Sequence, residues 1–148
     1  MIKRHFVTYN GHYYRYKIEQ IGNKVFVEFI GGIPQAINSF VSDLTELTEN
    51  TDPNSRVLYL DCVRFETPYY KVVPTVIAPC MELYRALGYT KIILTTAKPQ
   101  KCFRDSMEEL CLKLGITNFE QEIAESIGTQ RYIKDGVYFK WLHGGCYV

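Results

Sequence analysis

The chain has almost no surplus of charge: 17 basic and 16 acidic side chains leave +1 at neutral pH over 148 residues. A polyanion is held by clustered cations and the counterions they release, so dedicated binding to duplex nucleic acid is not expected. Long apolar runs are missing as well. None approaches the ~18 residues of a membrane span, and the start Met1-Ile2-Lys3-Arg4-His5 does not lead into a cleavable apolar segment. No membrane contact and a cytoplasmic location are therefore the expectations. The five cysteines, Cys62, Cys80, Cys102, Cys111 and Cys146, are odd in number, widely spaced and never in a Cys-x-x-Cys pair. That spacing argues against a disulfide framework and a zinc knuckle and predicts reduced thiols. Glycine is absent between Gly32 and Gly88. Repeats, linkers and low-complexity tracts are missing too, so residues 1–148 read as one domain.

What is present is a change of period along the chain. His5 to Tyr9, the dipeptide Asn10-Gly11 and His12 to Ile21 predict a hairpin, because Asn-Gly readily supplies the two positive φ angles of a type I′ turn. In the second strand His12, Tyr14, Tyr16 and Ile18 share one face, and Tyr13, Arg15, Lys17 and Glu19 the other. Gly22-Asn23 turns the chain again into a strand from Lys24 to Ile30, completing an antiparallel meander. Pro34 suits a first helical turn, and Ile33, Ile37, Phe40, Val41, Leu44 and Leu47 recur at the spacing of one helical face.

The stretch from Arg56 to Gly115 reads strand, helix, strand, helix. Val57 to Cys62 and Lys91 to Thr96 are short, nearly continuous apolar runs of the kind buried on both faces of a parallel sheet. Between them Thr67-Pro68 opens an irregular segment interrupted by Pro74 and Pro79, and from Pro79 to Leu87 the pattern is helical, with Cys80, Met81, Tyr84 and Leu87 inward and Gly88 closing it. Pro99 opens a further helix, whose Phe103, Met107, Leu110, Cys111 and Leu114 keep the 3.6 period until Gly115. Cys80 and Cys111, on these apolar faces, are expected to act as small hydrophobes. Phe119 to Ile127 suits a short helix or a strand plus turn, and Arg131 to Leu142, around Asp135-Gly136, a closing hairpin. The expected fold is α/β: a mixed sheet with an antiparallel N-terminal meander and a parallel βαβ core, flanked by helices.

The order of elements from Lys24 to Gly128, with a strand ending Leu60-Asp61, a strand Lys91-Ile92-Ile93-Leu94 and a helix finishing Lys113-Leu114-Gly115-Ile116, resembles the STAS family of sulfate-transporter and anti-sigma-factor-antagonist domains. That resemblance implies a regulatory or interaction module without catalysis. It implies a phosphorylatable hydroxyl at Thr67 beside Glu66, although the family's glycine has no counterpart in Glu66-Thr67-Pro68-Tyr69. A second stretch, Arg85-Ala86-Leu87-Gly88-Tyr89, Ile92 to Thr96 and Leu110 to Ile116, is similar to the later part of GNAT acyltransferases and implies acyl-coenzyme A-dependent transfer. Those enzymes cradle a pyrophosphate with glycine-rich backbone donors, which the gap from Gly32 to Gly88 does not offer.

Ligands of open α/β sheets gather at the carboxyl ends of the strands. The first candidate set there is Asp61, Cys62, Arg64, Glu66 and Thr67; the bland reading has Asp61 and Thr67 capping backbone donors and Arg64 pairing with Glu66. The second is Thr95, Thr96 and Lys98, ahead of a helix N-terminus that favours a small anion. The third is the hairpin of Tyr9, His12, Tyr13, Tyr14, Arg15, Tyr16 and Lys17, whose composition suits single-stranded RNA or, given the neutral chain, a protein partner or a homo-oligomer. The histidines His5, His12 and His143 have no carboxylate or cysteine at metal-ligand spacing. A Cys62–histidine pair would need adjacency through the fold. No cofactor, metal or catalytic group is expected.

Overall fold

The computed structural model describes residues 2–9, 12–30, 37–63 and 77–124, with side chains for 16, 18–29, 39–63 and 77–124. Its elements in chain order are β1 (Ile2–Tyr9), β2 (His12–Ile21), β3 (Lys24–Ile30), α1 (Ile37–Thr48), β4 (Val57–Asp61), α2 (Ala78–Ala86), β5 (Lys91–Thr96), α3 (Lys101–Leu114) and β6 (Phe119–Ile123). The strands form one six-stranded sheet in sequence order. β1, β2 and β3 are antiparallel neighbours, and β3 to β6 run parallel. The domain is thus the mixed α/β sheet expected, with β4 and β5 adjacent and parallel. The segment Phe119–Ile123, ambiguous in sequence, is the strand β6. Pro34, Pro68, Pro74 and the Arg131 to Leu142 hairpin lie outside the described residues.

Local chemistry sets the register. Ile21 pairs with Lys24, leaving Gly22-Asn23 as a two-residue loop in which Gly22 takes φ +59°, a conformation that costs glycine little. Asn23 then ties this turn to the segment entering β4. Its side-chain amide donates to Ser55 Oγ at 2.7 Å, its side-chain oxygen accepts the Asp52 N–H at 2.9 Å, and its carbonyl accepts the Val57 N–H at 2.9 Å. β4 is thereby set beside β3, with Val25 opposite Leu58 and Val27 opposite Leu60.

Three crossovers that step the same way along a parallel sheet, each right-handed, carry their helices to the same face. The core reflects this. Ile18, Val25, Val27, Leu58, Leu60, Ile92 and Leu94 from the strands form one buried cluster with Phe40, Leu44 and Leu47 of α1, Met81 and Tyr84 of α2, and Phe103, Met107 and Leu110 of α3. Tyr16 meets the Phe40 ring edge-on at 5.4 Å between centroids, and its hydroxyl donates to Asp43 at 2.6 Å. The alternate strand residues Phe26, Tyr59 and Ile93 point to the opposite face, also buried, with the Phe26 and Tyr59 rings stacked 4.8 Å apart. α3 ends where Gly115 turns left-handed and the Ile116 N–H reaches back to the Cys111 carbonyl at 2.9 Å, a Schellman closure.

Candidate functional site at the carboxyl ends of the parallel strands

Strand alternation and register bring one polar row together. Glu28 pairs with Asp61, Asp61 with Thr95, and Thr95 with Glu122, so four neighbouring strands contribute a polar residue at one level on the face away from the helices. On the other side Lys17 pairs with Glu28 and Arg4 with Lys17. Adjacent members are about 4.8 Å apart, the ordinary strand spacing. Glu28 is 1% exposed, Asp61 3% and Thr95 1%. Carboxylates this deep carry a desolvation cost that only polar neighbours offset.

Of the first predicted set, Asp61 belongs to this row and Cys62 does not. Successive strand residues point opposite ways, so Cys62 falls in the core cluster beneath the helices. Its N–H donates to the Thr95 carbonyl at 2.8 Å, and Asp61 Oδ1 accepts the Val63 N–H at 3.1 Å, the capping role in the bland reading. Burial pushes the Cys62 thiol well above its usual range, and the negative charges of Asp61 and Glu28 push it further. At neutral pH it is a protonated core thiol and not a nucleophile. Cys80 and Cys111 are likewise buried, as their helical positions predict. Arg64, Glu66 and Thr67 lie outside the described residues.

The second set divides in the same way. Thr95 joins Asp61, whereas Thr96 faces α3, where Arg104 donates to its hydroxyl at 3.1 Å. Lys98 is exposed in the connecting loop, and its carbonyl accepts from Arg104 at 3.0 Å. Arg104 also donates to the Ala97 carbonyl at 2.6 Å. Gln100 completes the rim: its side-chain oxygen accepts the Ala97 N–H at 2.6 Å, and its amide donates to the Cys62 carbonyl at 2.7 Å, linking the end of β4 to the approach of α3. The Ala97 and Lys98 carbonyls and the Gln100 and Arg104 side chains are thus engaged within the protein.

Sequence reasoning missed Glu28, Glu122, Gln100 and Arg104. Glu28 does carry a signal, since a lone acid inside Val25-Phe26-Val27-Glu28-Phe29-Ile30 is expensive in a strand buried on both faces. Gln100 and Arg104 carry none, because their partners are backbone groups of Cys62, Ala97 and Lys98 and the Thr96 hydroxyl, which no residue pattern marks.

Of the hairpin set, Tyr16 is 1% exposed and belongs to the core. Tyr13, Arg15 and Lys17 have Thr8, Phe6 and Arg4 as their β1 register partners. His5 sits on β1, three strands from β4, roughly 14 Å at the usual spacing. His12 is two strands from β4 and four residues farther along β2 than Tyr16, whose register neighbour is Phe29. Neither backbone position suits a Cys62–histidine pair; His143 lies outside the described residues. Among the described residues no group of three or more His, Cys, Asp or Glu is arranged to hold a metal ion, and no helix is long and apolar enough to cross a membrane. No protein-family model matches the chain, and no curated protein matches it.

Proposed function

We propose that this chain is a non-catalytic regulatory or interaction module of STAS-like organisation, and that the β1–β2 hairpin meets a protein partner or a second copy of the chain. One observation carries the reading. Tyr16 and Ile18 are buried in the core at 1% and 0% exposure, and by strand alternation the backbone positions of Tyr13 and Arg15, with their β1 register partners Thr8 and Phe6, have the opposite parity. Aromatic residues and arginine are the types enriched where proteins meet, because they combine a large apolar area with directional polar groups. A protein partner is favoured over a small anion at the strand ends, where Glu28 and Asp61 place two carboxyl groups side by side. A cytoplasmic setting fits this reading, for Cys62, Cys80, Cys102 and Cys111 are all free thiols.

The test is the double substitution Tyr13→Ser with Arg15→Ser, followed by sedimentation velocity and far-ultraviolet circular dichroism. Weakened self-association, or weakened capture of a purified partner, is expected with the spectrum and urea midpoint unchanged. Unfolding by the double substitution would overturn the reading. So would a strictly monomeric wild type that retains single-stranded RNA with steep salt dependence, which would make the hairpin a stacking platform.

A further inference from the structure

We draw no further inference here: the strongest candidate, the row of Glu28, Asp61, Thr95 and Glu122 across the face of the parallel strands away from α1, α2 and α3, is an acidic cluster that belongs to the site already described, and no second observation among the described residues points to a ligand held there.

Discussion

At the residue scale, the rim of the sheet depends on a side chain that joins a near neighbour to a distant strand end. Gln100 satisfies a donor on Ala97 and an acceptor on Cys62 with one amide. Gln100→Ala strands both, and leaving buried backbone groups unsatisfied costs about 1–3 kcal/mol. Urea unfolding should report a loss of that order, and an unchanged midpoint would mean that water replaces the amide without penalty. The buried thiols make a separate prediction. Burial raises Cys80 from the ordinary 9.0 to about 11 and Cys111 likewise to about 11. A thiol of raised pKa holds its proton longer when folded than when unfolded. Its stabilising contribution is therefore complete below pH 9 and is lost as pH climbs through about 11. Tyr89, raised from 10.0 to about 12 by burial against the opposing Thr48 hydrogen bond and Arg56 charge, extends the loss upward. Unfolding free energy measured under reducing conditions should be level to about pH 9 and fall beyond it. The variant Cys80→Ala with Cys111→Ala should fall less steeply between those values, and equal slopes would remove the thiols as the cause.

At the scale of elements, α3 shows how sequence punctuation becomes geometry. Its apolar positions Phe103, Met107, Leu110 and Cys111 are all buried, while Lys101 and Asp105, one turn apart on the exposed side, pair at 2.8 Å. The helix stops at Gly115 because φ +71° closes the last turn, and a β-carbon there would meet nothing within 4 Å. The penalty for Gly115→Ala is thus one of backbone conformation alone, about 1 kcal/mol. Gly115→Asn should lose less, because asparagine tolerates the left-handed region. Urea midpoints ordered wild type, Asn, Ala would support the closure; an alanine variant as stable as wild type would refute it. β6 shows the opposite case. Phe119-Glu120-Gln121-Glu122-Ile123 has too little apolar character to declare a strand, and pairing with β5 decides its state.

At the scale of the molecule, a sheet in simple sequence order with its described helices on one face separates two surfaces with different chemistry. One is the apolar core under α1, α2 and α3; the other carries the polar row of Glu28, Asp61, Thr95 and Glu122 beside the buried Phe26, Tyr59 and Ile93. The chain from Pro68 to Met81 contains three prolines and no glycine, so it offers a pyrophosphate few backbone donors. Calorimetry with acetyl-coenzyme A should therefore show no micromolar binding. A clear isotherm would put acyl transfer ahead of the interaction module.

The periodicities by themselves determined the order and nature of most elements, because a strand buried on both faces and an amphipathic helix each demand an apolar pattern that little else produces. They also placed Tyr16 and Ile18 of β2 on one face, where both are buried in the core, since alternation is a property of the extended backbone. What only the tertiary structure decided was company. Asp61 and Cys62 are neighbours in sequence and looked like one site, yet the pleat turns one toward Glu28 and Thr95 and the other into the core. Glu28 reaches Asp61 through the register of two parallel strands separated by a whole helix, and register across such a crossover follows from packing and from contacts like those of Asn23, not from local propensity.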